Sequence, residues 1–264
     1  MQPSDRRPLA LITGASSGIG LELARLFVAD GYDLVIAADR EAELQQARAD
    51  LLAAGAQRVE AVTVDLSEHD ANDRLWQAAT AVGTVDVLVA NAGHGEWGLF
   101  ATQTDLQREM HLIGTNVMSP VHLAKHAVAD MVARGDGKIL FTGSIAGTSP
   151  GPYHAVYHAS KAFVNSFAQA LRNEVKDRGV TVTVLMPGPT DTEFFAEAGM
   201  EPARAAQGPK ADPKDVAKAG YDALMAGDDH VVPGLMNKTN SVLGNALPDA
   251  AAASMARKQN EPAS

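Results

Sequence analysis

Short apolar runs alternate with amphipathic stretches along most of the chain. Residues 9–13 are apolar and run into a glycine, as a buried strand does. Ile19, Leu23, Leu26 and Phe27 follow at helical spacing, and Gly31 closes that helix. The same reading predicts strands over 33–38, 59–64, 85–90, 138–142, 180–186 and 230–233. Between them it predicts helices over 41–54, 71–81, 155–177 and 212–225, and one long helical stretch over 105–134. Ser119-Pro120 should kink that long stretch, because proline has no N–H to donate. Residues 193–209, rich in Ala, Gly and Pro, read as a mobile lid. The tail from Asn237 is weakly patterned, and from about Lys258 it reads as disordered.

Strands that alternate with helices call for a mostly parallel α/β sheet of about seven strands, doubly wound, with helices on both faces. The 264 residues suffice for one large domain, with a core of about 8–238 and a tail of 239–264. Composition narrows the function classes. The net charge is −10 and no basic run rises above a solvated face, so nucleic acid is not an expected partner. Cysteine is absent, which excludes disulfides, thiolate metal sites and a cysteine nucleophile and suits a reducing cytoplasm. Residues 1–8 are polar and lack a signal-peptide core, and no apolar run nears the roughly 20 residues of a membrane span. Of the eight histidines only His122 and His126 have helical metal-pair spacing. With no third ligand evident they read as the surface of a helix, and no metal is expected.

Five motifs carry candidate chemistry. The first is Gly14-Ala15-Ser16-Ser17-Gly18-Ile19-Gly20, between a strand and a helix. Glycines there allow close backbone approach, and free N–H groups at a helix start attract a pyrophosphate. The second is Asp39-Arg40 at the end of the second strand, where dinucleotide folds read the adenosine ribose. Asp39 can equally serve as an N-cap of the next helix. Asp65-Leu66 ends the third strand, where the acid can cap the next element or touch an adenine amino group. Asn91-Ala92-Gly93 ends the fourth, in the ligand crevice of an open sheet or as a stabilised turn. The last motif is Ser144 with Tyr157 and Lys161. Tyrosine and lysine four apart share one helix face. A neighbouring ammonium stabilises a phenolate and lowers its pKa, making an acid–base device, although an exposed helix pair has the same spacing.

In this order and spacing the motifs resemble the short-chain dehydrogenase/reductase family, in its compact single-domain form, over about residues 8–238. The resemblance implies a Rossmann-type fold and an NAD(P)-dependent alcohol dehydrogenase or carbonyl reductase. It implies that Gly14, Ser16, Ser17, Gly18, Ile19 and Gly20 hold the cofactor, with Asp65 and Leu66 at the adenine and Asn91, Ala92 and Gly93 beside the ribose. Pro187, Gly188, Thr190 and Thr192 would surround the nicotinamide carboxamide. It assigns Tyr157 as general acid/base, Lys161 to lowering its pKa and binding the ribose, Ser144 to the substrate oxygen, and Asn116 to a proton-relay water. It also implies a homodimer or homotetramer.

Coenzyme choice is divided. Where NAD users of the family carry an acid, seven residues after Gly31, this chain has Ala38; Asp39 and Arg40 come next. An acid near a 2′-phosphate repels it, so the balance leans to NAD, while Arg40 can pair with that phosphate of NADP. The substrate pocket is expected from His94, Glu96, Trp97, Ile145 and Tyr153, for a secondary alcohol or ketone. The competing class is a non-catalytic NAD(P)-binding regulator of the same fold. The intact Ser–Tyr–Lys set argues against it.

Overall fold

The computed structural model describes residues 6–234, 237–239 and 247–263. Seven parallel strands form one sheet in the order β3-β2-β1-β4-β5-β6-β7. They are β1 (Leu9–Thr13), β2 (Asp33–Ala38), β3 (Val59–Thr63), β4 (Val85–Ala90), β5 (Gly137–Thr142), β6 (Val180–Leu185) and β7 (His230–Val231). The helices are α1 (Gly18–Ala29), α2 (Glu41–Ala53), α3 (Ala71–Val82), α4 (Leu106–Ile113), α5 (Ser119–Arg134), α6 (Ala155–Val175), α7 (Phe194–Glu197), α8 (Arg204–Gln207) and α9 (Pro213–Ala226). A C-terminal helix covers Asp249–Asn260. No helix among the described residues is long and apolar enough to cross a membrane.

The central strands are largely apolar because both faces of the sheet are covered there, whereas the edge strand β3 alternates and is partly exposed. In β1, Leu9 and Leu11 enter one core with residues of α3, α5 and α6, whereas Ala10 and Ile12 enter the other with residues of α1, α2 and α9. The chain winds outward from β1 to β3, then crosses over to β4 on the other side of β1. The strand ends diverge at that switch, and a crevice opens above the carboxyl ends of β1 and β4.

Three expectations change. The long helix breaks, but just before proline: Gly114–Met118 forms a π-helical turn between α4 and α5. Pro120 cannot donate to the carbonyl four residues back, and Gly114 abuts Ser67, where a Cβ would come within 2.8 Å of the serine Cβ. Residues 193–209 carry the short helices α7 and α8 beside a small apolar cluster of Phe195, Ala198, Met200 and Ala203, against which Trp97 packs. The C-terminal helix also packs onto the body of the protein. Ala252, Ala256 and Asn260, each four apart, are buried along one side of the C-terminal helix. The Asn260 carbonyl accepts from Trp97 Nε1 at 2.7 Å, and its amide donates to the Pro152 carbonyl at 3.1 Å.

Candidate active site

The glycine turn is built by close approach. Gly14 has φ +64° and Gly18 φ +54°, in the left-handed region. A Cβ on Gly14 would lie 2.8 Å from the Ala92 Cα, and one on Gly20 would collide with the Gly14 carbonyl oxygen. No side chain caps α1: Ser17 at the N-cap makes no capping hydrogen bond, and the first turn carries no acid. The leading N–H groups therefore face the crevice free to meet an anion. A dinucleotide's pyrophosphate fits this cradle by chemistry and by space.

Behind the turn, Asn91 joins three strand ends. Its amide donates to the carbonyls of Thr13 (3.1 Å) and Gly14 (3.2 Å), and its carbonyl oxygen accepts from Thr142 Oγ1 (3.0 Å). Thr13 Oγ1 accepts from the N–H groups of Asn91 and Ala92, both at 3.0 Å. Asn91 thus holds the rim of the crevice with its side chain, while Ala92 and Gly93 line it.

The crevice widens into a cleft of about 1130 Å³. Ser144, Tyr157 and Lys161 stand on its wall. Ser144 follows β5 and caps the short turn Ile145–Thr148, its Oγ accepting from the Ala146 N–H at 3.0 Å. Tyr157 and Lys161 project from the first turns of α6. Lys161 is 5 % exposed, donates to the Thr142 carbonyl at 2.9 Å, and lies 5.8 Å from the centre of the Tyr157 ring. Asn116 sits just behind the wall. Its Oδ1 accepts from the His94 N–H (3.1 Å), and its Nδ2 donates to the His94 carbonyl (2.9 Å) and to Ser160 Oγ (3.1 Å). Gly93 separates it from the lysine: a Cβ there would lie 2.9 Å from Asn116 Oδ1 and 3.3 Å from Lys161 Nζ.

The expected depression of the tyrosine pKa is not what this arrangement produces. Burial pushes the Tyr157 phenol up to about 12, opposed by a hydrogen bond from Ser144. Burial also pushes Lys161 down to about 8. The ammonium is aimed at a backbone carbonyl, so desolvation outweighs the attraction expected from the four-residue spacing. Tyr157 is consequently a neutral phenol at pH 7.

Asp65, whose role the sequence left open, accepts from the Ser67 N–H (2.9 Å) and Oγ (2.7 Å) and faces His111 Nε2 at 3.1 Å. His111 Nδ1 is 3.0 Å from His94 Nε2. With Asp65 ionised, His111 carries its proton on Nε2 and accepts from His94 through Nδ1. Burial is the main cause that holds His94 down to about 4, so His94 is neutral. No periodicity flags His111, since 46 residues separate it from Asp65. Arg40 is paired with three acids: Nη2 meets Glu193 at 2.7 Å and Glu197 at 3.1 Å, and Nε meets Glu43. Asp39 beside it is exposed.

The other expected cofactor positions, Ser16, Ser17, Ile19, Leu66, Pro187, Gly188, Thr190 and Thr192, all line the cleft. Of the expected pocket residues, His94 and Ile145 line it too, but Glu96, Trp97 and Tyr153 do not. Glu96 is 7 % exposed and is tied to Arg108 at 2.7 Å. Trp97 and Tyr153 stack on each other with centres 5.9 Å apart. Arg257 covers the Tyr153 ring, so the pair packs against the C-terminal helix. The wall they were expected to form comes instead from His154, Phe194, Met200 and, on the C-terminal helix, Met255 and Gln259. His154 stacks on Tyr157 with centres 4.3 Å apart and planes 12° apart. Its buried Nε2 has no hydrogen-bond partner, and burial pushes the ring down to about 3.

Comparison with known proteins matches this geometry. The family model for short chain dehydrogenases matches residues 8–202. An oxidoreductase of Sarocladium schorii, asL5, is 33% identical over 190 residues, 72% of this chain and 74% of its own. The ketoacyl reductase HetN of Nostoc sp. is 30% identical over 243 residues, 90% of this chain and 78% of its own. Among solved structures, a short-chain dehydrogenase from Sphingobium yanoikuyae in complex with NADPH superposes with a TM-score of 0.80 at 28% identity, covering 92% of this chain and 97% of that one. A bulky-bulky ketone specific alcohol dehydrogenase from Comamonas testosteroni gives a TM-score of 0.75 at 25% identity, covering 92% and 96%. The NADPH complex lends no support to the lean toward NAD. With the glycine cradle, the parallel sheet and a matched span of this length, the chain belongs to the short-chain dehydrogenase/reductase family of oxidoreductases.

Proposed function

We propose that the chain reduces a ketone to a secondary alcohol with NAD(P)H as hydride donor, and runs the reverse oxidation with NAD(P)+ as hydride acceptor. The observation that carries this is the convergence of Ser144, Tyr157 and Lys161 on one wall of a cleft that begins at the glycine cradle. A nicotinamide held there supplies or takes up the hydride. Ser144 Oγ is placed to donate a hydrogen bond to the substrate oxygen as negative charge develops on it. Tyr157, neutral at pH 7, delivers the proton to that oxygen. Lys161, still largely charged at pH 7, stabilises the phenolate left behind. Asn116 fixes the His94 backbone beside the lysine, as a support for a proton path.

Phe194, Met200 and Met255 give the cleft an apolar side, which supports a bulky, largely apolar ketone. The Comamonas relative's preference for bulky-bulky ketones is in keeping with this, and HetN marks ketoacyl groups as a second class to assay. Coenzyme choice rests on whether a 2′-phosphate can draw Arg40 away from Glu193 and Glu197.

The test is a screen of aryl, alicyclic and ketoacyl ketones with NADH and with NADPH, repeated on Tyr157→Phe. The variant should lose at least 10²-fold in kcat while dinucleotide affinity, read by nicotinamide fluorescence, stays within threefold. Near wild-type turnover in the variant would remove Tyr157 from the chemistry.

A further inference from the structure

On the flank of the molecule, away from the residues that line the cleft, α3 and α5 pack side by side. His122 and His126 lie one turn apart on α5. The sequence offers them no third ligand, but the fold does: Asp73, from α3, lies between them. Its Oδ1 is 3.2 Å from His122 Nε2 and 2.8 Å from His126 Nε2. The three donor atoms lie within 4.8 Å of one another. A tetrahedral ion with bonds of about 2.0–2.1 Å requires donor atoms about 3.3 Å apart. Two of the three edges are therefore within about half an ångström of that requirement, and rotation of exposed imidazoles can adjust the third.

Three features favour a metal over a simple helix clasp. Two imidazoles and one carboxylate are the donor set that zinc and its late first-row neighbours take, with a coordination position left for solvent. All three side chains are 35–46 % exposed, so an ion can enter without unfolding anything. The histidines are already ordered: their rings stack with centres 5.3 Å apart, and His126 stacks on Trp76 with centres 5.7 Å apart and planes 12° apart.

We propose that Asp73, His122 and His126 form a surface binding site for a late divalent transition-metal ion, of the zinc, nickel and copper class, that clamps α3 to α5. The site is separate from the cleft and needs no part of the hydride-transfer machinery.

Trp76 serves as the reporter. The untagged chain, stripped with chelator, is titrated with CuCl₂ or NiCl₂ while tryptophan emission is followed. A Trp97→Phe background leaves Trp76 as the one indole. The expected result is a quench that saturates at one ion per chain and is reversed by excess ZnCl₂. Asp73→Asn and His126→Gln should each weaken the apparent affinity at least tenfold. Zinc should raise the Tm of the parent and leave that of His122→Gln/His126→Gln unmoved. A quench that does not saturate, or one equally strong in the double variant, would show binding elsewhere, such as at His69 or His230, and overturn the proposal. Should the double variant fold poorly by circular dichroism, the single Asp73→Asn variant decides. Unchanged ketone reduction in these variants is expected, and the outcome does not depend on the catalytic assignment.

Discussion

Replacing Glu193 and Glu197 together by glutamine tests how the cleft chooses between the two dinucleotides. Both carboxylates hold Arg40 Nη2, at 2.7 and 3.1 Å, at the end of β2 where the ribose of the adenosine is expected. A 2′-phosphate reaching Arg40 has to displace them and to tolerate Asp39 and Glu43 nearby. Arg40 is 39 % exposed, and the two glutamates are 57 % and 42 % exposed, so each pair contributes only about 0.2–1 kcal/mol. Removing both frees Nη2 and deletes two repulsive charges, about 1–2 kcal/mol in favour of the phosphorylated coenzyme. That corresponds to roughly 5- to 30-fold tighter NADPH. NADH has no phosphate there and should move less than twofold. Titration of each reduced coenzyme at low salt, followed by nicotinamide fluorescence, gives both constants. The gain should shrink as ionic strength rises, because the groups are exposed. Equal shifts for the two coenzymes, or none, would mean that Arg40 does not face the 2′ position.

Three other outcomes are expected from the same geometry. Gly20→Ala forces a methyl into the Gly14 carbonyl, so both coenzymes should bind at least tenfold more weakly and stability should fall by about 1–3 kcal/mol; an unchanged Tm and unchanged affinities would contradict the packing. The His154 ring is held neutral, down to about 3 against about 6.5 unfolded. Its stabilising contribution is complete above pH 6.5 and is lost as pH falls from there toward 3, at up to about 1.4 kcal/mol per pH unit. Urea unfolding between pH 7 and 4 should therefore show a shallower loss in His154→Phe than in the parent, and parallel curves would refute that account. For reduction, kcat should be flat below about pH 8 and decline above it as Lys161 loses its charge, with Tyr157 still protonated there. A profile that rises through pH 9 would assign the limiting group elsewhere.

Much of the fold was legible in the chain because local rules and tertiary burial agree there. Runs such as residues 9–13 are buried at every position and apolar at all but the last, because helices cover both sides of the sheet. Gly14, Gly18 and Gly20 could be read as a cradle because a backbone conformation or a close approach requires glycine at each. Asn116 was placed only through the family resemblance, whereas the four-residue spacing already paired Lys161 with Tyr157. A buried amide and a buried ammonium carry no local signature of their partners, here the His94 backbone and the Thr142 carbonyl.

The order of apolar and polar residues by itself determined the strands, most of the helices and the position of the glycine turn, since each depends on neighbours within a turn or a strand of one another. Tertiary structure decided the rest. It turned Trp97 and Tyr153 away from the cleft and onto the C-terminal helix, whose small-residue stripe is too weakly apolar to announce a buried face. It set Tyr157 upward in pKa rather than downward, because desolvation depends on everything packed around the phenol. It brought Asp73 to His122 and His126, and Glu193 and Glu197 to Arg40, across 49 to 157 positions of sequence. Charges meet through space, and no pattern of period 2 or 3.6 encodes partners that far apart.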